Sequence, residues 1–226
     1  MRIRRGIPVT DSLEWNRKIL SALYPINAIC MGCGSLVGFD GEWLCDACRK
    51  RMRTLFGGGF YDEHLNGSAA AYRYKGPVSG MVQNFKYRGV TELAGVMAED
   101  MMRALKQIQP VGAEVVVPVP MHADRLRRRG YNQSELLARR IADELGVPCE
   151  LALVRIRNTA QQARLDEGQR RRNLKNAFLA LPEVSGWRVL LVDDVYTTGE
   201  TARECAKVLK KAGAISVSFL AYARGR

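Results

Sequence analysis

Four consecutive apolar residues, Val189 to Val192, run straight into two adjacent carboxylates, Asp193 and Asp194. A strand that is apolar at every position has to be covered on both faces, which is the condition of a strand inside a parallel sheet with helices on each side. Two charged groups cannot continue that core. Their place is the rim at the carboxyl ends of the strands, where open parallel sheets hold their ligands.

The rest of the chain fits this frame. Strands are expected at 68–74, 114–120, 149–156, 188–194 and 215–222. Helices are expected at 77–87, 91–107, 132–145 and 201–212, the last two closed by Gly146 and Gly213. Strands alternating with helices predict an α/β fold with a mainly parallel sheet flanked by helices. The length of 226 residues suits one ordinary domain plus a small module, and a 47% hydrophobic content supports a real core. A glycine-rich break over 54–68 reads as the boundary, giving an N-terminal segment 1–62 and a larger domain 63–226.

Cys30 and Cys33 form one CxxC pair, Cys45 and Cys48 a second, with eleven residues between the pairs. This spacing suits a structural zinc held by four thiolates, with no position left open for catalysis. Disulfides and a redox CxxC are the competing readings. A reducing compartment disfavours the first, and the absence of a preceding strand the second. The two remaining cysteines, Cys149 and Cys205, lie in apolar settings and read as inert buried thiols.

The net charge of +12 attracts polyanions: nucleic acid, phosphorylated metabolites or an anionic membrane surface; an even basic coat gives the same number. The opening MRIRRGIPVT leads to DSLEWNRK rather than to an apolar core of a signal. The apolar run 19–31 is broken by Pro25 and Asn27. A soluble, cytoplasmic protein without stable membrane insertion is expected.

Beyond Asp194 the turn leads into a helix. Free N–H groups and the helix dipole make an anion site there, Thr197, Thr198 and Thr201 add hydroxyl donors, and Gly199 lets the backbone approach a ligand. A ligand with hydroxyls at one end and a phosphate at the other, such as a ribose 5-phosphate, matches both halves. A receiver domain also ends a strand on a carboxylate pair, but early in its chain, whereas only 32 residues follow Asp194. No GxGxxG follows a strand, so a dinucleotide fold is excluded.

The stretch VLLVDDVYTTGET, 189–201, resembles the ribose-phosphate motif of type I phosphoribosyltransferases. That resemblance implies that Asp193 and Asp194 hold the ribose hydroxyls of phosphoribosyl pyrophosphate (PRPP). It also implies that Thr197, Thr198, Gly199, Glu200 and Thr201 form the loop for its 5-phosphate. Together with PVPMHADRLRRRGYNQSELLAR (118–139), FKYRG (85–89) and RNTAQQARLDEGQRRRNLKNAF (157–178), the chain resembles the ComF family, competence-associated proteins with a phosphoribosyltransferase domain. The resemblance covers nearly the whole chain. Members commonly begin with a proline and two CxxC pairs, as from Pro25 to Cys48, which implies a zinc-ribbon-like N-terminal module.

The same resemblance places a pyrophosphate loop at Pro118, Val119 and Pro120, with Arg125, Arg127, Arg129, Lys86 and Arg88 as further diphosphate candidates acting with Mg2+. The arginine cluster also reads as a solvated helix start. Residues 157–172 match a hood over the site, in which Arg157, Thr159, Gln161 and Gln162 are candidates to reach ligand; an ordinary exposed loop is the alternative. Purine-salvage relatives carry an acid where this chain has Thr197, so no general base is identified. His122 lies near the right loop but is a lone histidine.

Two classes of function follow. One is a phosphoribosyltransferase that releases pyrophosphate to an unidentified acceptor. The other is a non-catalytic factor handling single-stranded DNA, in which PRPP regulates or is vestigial. The family resemblance implies a role in DNA uptake, with single-stranded DNA and a DNA-uptake helicase or channel component as partners. Trp43 and Phe39 are either stacking platforms for bases or packing for the small module.

Overall fold

The computed structural model describes residues 29–37, 43–53, 56–108, 112–157, 176–181 and 184–225. Strands β1 (Phe56–Phe60), β2 (Gly67–Arg73), β3 (Val115–Pro118), β6 (Arg188–Tyr196) and β7 (Ser216–Arg224) form one sheet in the order β1-β2-β7-β6-β3. Only the β1–β2 pair is antiparallel; β2, β7, β6 and β3 run parallel. Two further strands, β4 (Leu153–Arg155) and β5 (Phe178–Ala180), make a separate antiparallel ribbon.

Helices α2 (Pro77–Tyr87), α3 (Leu93–Leu105) and α5 (Gln133–Leu145) cover one face of the sheet. There Leu190 and Val192 of β6 pack with Val78, Met81, Phe85, Met97, Leu137 and Ile141. The opposite face belongs to α6 (Glu200–Lys211) and the ribbon. Val189 and Leu191 pack there with Cys205, Leu209 and Phe178. The four apolar residues before the carboxylates are therefore shared between two cores, as a doubly covered strand requires. Burying one such side chain contributes about 1.5–3 kcal/mol.

Most expected elements appear within a residue or two of their predicted ends. Pro77 starts α2, as its fixed φ favours. Asn132 caps α5 by accepting from the Ser134 N–H, and Gly146 closes it in the left-handed region. Two expectations change. The expected break at 56–60, FGGGF, is strand β1, so the main sheet begins before the predicted boundary at 62. The strand expected over 149–156 is a single bridge from Cys149 to Val116, followed by the short β4. The basic stretch after the proline loop forms a helix, α4 (Ala123–Arg129), capped by His122, in line with the helix-start reading of the arginine cluster.

The described part of the four-cysteine module is a turn at 31–33 and, after Trp43 and Leu44, helix α1 (Asp46–Arg53). A bridge between Ile29 and Leu36 closes the first turn, and the Met31 N–H donates to the Trp43 carbonyl at 2.8 Å. Met31 and Met52 are buried in the same core as α2 and α3, and Trp43 packs against it. Trp43 is thus a packing residue; Phe39 and Pro25 lie outside the described residues.

Candidate functional site

The carboxyl ends of β3 and β6 meet at one rim. Pro118 pairs with Val192, and the Val119 N–H donates to the Val192 carbonyl at 2.9 Å, extending the ladder one residue past β3. The Val119 carbonyl accepts from Asn132 Nδ2 at 3.1 Å. One asparagine thus starts α5 and holds the proline loop against the strand end.

Asp193 and Asp194 leave β6 in opposite directions, as consecutive strand residues must. Asp193 Oδ1 accepts from Ser134 Oγ at 2.7 Å and from the Asp194 N–H at 2.9 Å. Asp194 faces α2, where Lys86 Nζ lies 2.9 Å from Oδ2. Burial opposes the charge on Lys86, but the two carboxylates outweigh it and hold the ammonium above its usual range. Burial and the Asp194 charge push the Asp193 carboxyl up to about 7, against the pull of Lys86 and Ser134. Asp193 therefore takes on its charge only near neutrality. This is an arrangement suited to accepting hydroxyl donors or a cation. A further bond locks the two supports together: the Tyr131 hydroxyl donates to the Phe85 carbonyl, next to Lys86.

Past Tyr196 the chain turns through Thr197, Thr198 and Gly199 into α6. Thr197 is exposed, and Thr198 and Thr201 are partly so. Gly199 has φ 81°, and a side chain there would strike the Tyr196 hydroxyl and Arg203. No side chain caps the start of α6, and a helix start of that kind suits an anion. Beneath this loop lies a buried network. Asp62 Oδ2 accepts from the Tyr196 hydroxyl at 2.6 Å and from Arg203 Nε at 2.9 Å, while Arg203 Nη1 donates to Glu200 at 3.0 Å. Burial opposes the Asp62 charge, yet these donors hold its carboxyl below the usual range. Glu200 is buried and spends its carboxylate on Arg203, so it braces the loop from below.

The basic candidates separate. Lys86 reaches the acid pair. Arg127 pairs with Asp124, and Arg129 lies over the Tyr87 ring at 5.1 Å. Arg125 is partly buried, and burial together with Arg129 and Arg128 lowers its pKa. Arg88 lines a recess of about 430 Å³ between α2 and the first cysteine turn. His122 Nδ1 accepts from the Asp124 N–H at 3.2 Å, so its ring serves as a helix cap. Arg157 stands exposed beyond β4, and Thr159, Gln161 and Gln162 lie outside the described residues. Residues not picked out from the sequence include Ser134, Tyr131 and Arg155, as well as Asp62 and Arg203 beneath the loop. Arg155 lies across from Phe178 in the ribbon, where burial and the neighbouring Arg125 lower its pKa and the Asp193 charge raises it. Its guanidinium is close enough to feel the Asp193 charge. Ser134 carried a faint signal, since Asn-x-Ser before an apolar period marks a capped helix start.

Cys30, Cys33, Cys45 and Cys48 converge, with all four Sγ atoms within 4.8 Å of one another and Cys33 to Cys45 at 3.8 Å. Four bonds of about 2.3 Å to a tetrahedral zinc put sulfurs about 3.8 Å apart, so the set fits that ion. Hydrogen bonding with Ser35 lowers the Cys33 thiol to about 6, toward the thiolate a metal needs, whereas burial holds the Cys48 thiol above its usual value. Cys205 is buried, and burial raises its thiol pKa well above the usual value. Burial likewise raises Cys149 to about 11.

Residues 131–226 match the phosphoribosyl transferase domain model. Competence protein F of Haemophilus influenzae is 29% identical over 88% of this chain and 97% of its own length. The DNA utilization protein YhgH of Salmonella typhimurium is 39% identical over 64% of this chain and 66% of its own length. Competence protein ComFC of Bacillus subtilis is 29% identical, covering 77% of this chain and 68% of its own. Among the described residues, no helix is long and apolar enough to cross a membrane.

Proposed function

Since this chain belongs to the ComF family and carries a phosphoribosyltransferase-like domain, we propose that it binds PRPP with Mg2+ at the end of β6 and serves DNA uptake, as the names of its relatives suggest. One observation carries the PRPP reading. Two acids, each held by its own partner, Ser134 or Lys86, stand directly before a helix start that no side chain caps. Hydroxyl acceptors and an anion site sit in tandem, which is the order of groups along ribose 5-phosphate.

In this reading Asp193 and Asp194 accept from the ribose 2- and 3-hydroxyls, and Thr197, Thr198, Gly199 and Thr201 hold the 5-phosphate. Pro118 to Pro120, with Arg125 and Arg155, flank the diphosphate. Lys86, beside Asp194, is a further candidate for contact with that anion. Asp193 and Asp194, with the diphosphate oxygens, would offer the hard oxygen ligands that Mg2+ takes, and a bound ion would supply positive charge beside the diphosphate. If a nucleophile displaces pyrophosphate at ribose C1, these cations stabilise the charge that develops on it. The four cysteines hold a structural zinc.

Calorimetric titration of Mg–PRPP into the wild type and into Asp193→Asn/Asp194→Asn tests the site. Binding is expected in the wild type and not in the folded double variant. Folded wild type that fails to bind would overturn the reading.

A second reading, contact with single-stranded DNA, has its own observation. Tyr87 is 72% exposed beside the rim and is stacked with Arg129. An exposed ring among cations can stack a base. DNA affinity should then fall linearly on logarithmic axes as salt rises, with a slope set by the phosphates contacted. Tyr87→Ala should weaken binding with little change of slope. A salt-insensitive signal would remove this reading.

A further inference from the structure

We infer that the four-cysteine module, acting through Asn84 and α2, positions Lys86 against Asp194 and so forms part of the acid-pair site. Relevance to a ligand rests on the ribose reading above; the positioning itself does not.

The module grips α2 at three points. Asn84 Nδ2 donates to the Met31 carbonyl at 2.9 Å, reaching from the helix into the first cysteine turn, while also donating to the Gly80 carbonyl at 3.0 Å. Gly80 lies against the Gly32 and Met31 carbonyls so closely that no side chain fits between them. Gly32 is backed in turn by Pro77, Leu44 and the Cys48 sulfur. Met31 itself enters the core beside Val78 and Met81.

Lys86 follows Asn84 by two residues. At about 100° per residue the two side chains leave α2 on opposite flanks, with the buried Phe85 between them. One flank is held by the cysteine turn and the other presents the ammonium to Asp194. Because a helix moves as a unit, what fixes Asn84 and Gly80 also fixes the height and rotation of Lys86. The Tyr131 bond to the Phe85 carbonyl carries the same constraint to the start of α5, where Ser134 holds Asp193. With the cysteine turn opened, Asn84 loses its acceptor and Gly80 its stop, and Lys86 is freed from Asp194.

The test follows Lys86 directly. Amine-reactive labelling with mass spectrometry compares metal-loaded and chelated protein, and metal-loaded Asn84→Ala, with Lys207 as internal reference. Lys207 pairs with Glu204 on α6, on the far side of the sheet from the module. Lys86 should label several-fold faster after chelation and in Asn84→Ala, at unchanged Lys207 labelling and retained circular dichroism. Where chelation unfolds the chain, Asn84→Ala and Gly80→Ala, which keep all four cysteines, decide. Equal Lys86 labelling in every folded form would overturn the inference. A second arm titrates Mg–PRPP into the same proteins, where coupling between sites of this kind amounts to roughly 5- to 150-fold in affinity. Labelling that shifts as expected in a protein that binds no PRPP leaves the positioning standing and removes the ribose reading.

Discussion

Asp193 and Asp194 are chemically identical neighbours with different surroundings, and the difference has consequences for pH. Asp194 has an ammonium at 2.9 Å, whereas Asp193 has neutral donors and its neighbour's charge. The folded-state pKa of Asp193, about 7, stands above the ordinary value of 3.8. Between these values the folded chain binds a proton that the unfolded chain does not. The stability from this group is therefore present at low pH and lost as pH rises through about 7. Asp193→Asn removes the cost, so the variant should melt a few degrees above the wild type at pH 8, with the gap closing toward pH 5. Thermal scans at the two pH values check this. Titration of Mg–PRPP should show affinity in the wild type rising from pH 6 to 8 as Asp193 takes on its charge. A melting point lowered equally at both pH values would remove the assignment of strain to this carboxyl. A stabilising change at the residue proposed to bind ligand is what a site built at the expense of stability predicts.

At the scale of elements, the turn into α6 depends on Gly199. Its φ of 81° disfavours any side chain by about 1 kcal/mol, and a methyl group would also displace the Tyr196 hydroxyl from Asp62. Gly199→Ala should lower the melting temperature by several degrees and weaken Mg–PRPP binding, read by calorimetry. Unchanged binding would mean that the loop takes no phosphate. Gly199 was legible in the sequence because its neighbours, two acids and three threonines, already named a rim and an anion. α2, α3, α5, β6 and β7 were legible from apolar period, capping residues and closing glycines. Strand β1 was not, since three glycines in FGGGF carry no period and little strand preference. It forms because the edge of β2 offers a ladder. The contribution of Arg155 was equally hidden. That residue sits on a three-residue ribbon strand whose nearness to Asp193 comes from tertiary packing, which no local pattern announces. The cysteine spacing foretold the cluster of sulfurs, but nothing in it foretold that Met31 and Met52 would join the main core.

At the scale of the molecule, that shared core decides how the chain comes apart. Cys30→Ser should lose the zinc, with metal analysis falling from about one ion per chain, and should lower the stability of the whole chain in a single transition. Two separate transitions in calorimetry, with the larger one unmoved, would show the module to be independent. The strand order has another consequence. β7, last in sequence among the strands, lies in the middle of the sheet, between β2 and β6, and all but its final residue are buried. During synthesis, β2 and β6 emerge with facing edges and no strand to join them, and the gap closes only after Ser216 to Arg224 have left the ribosome. Such late, long-range closure is slow and leaves apolar edges bare in the interval. A ribosome stalled before Ser216 would therefore hold an open, adhesive half-sheet, so the nascent chain of this protein makes a demanding client for chaperones even though its finished fold is well packed.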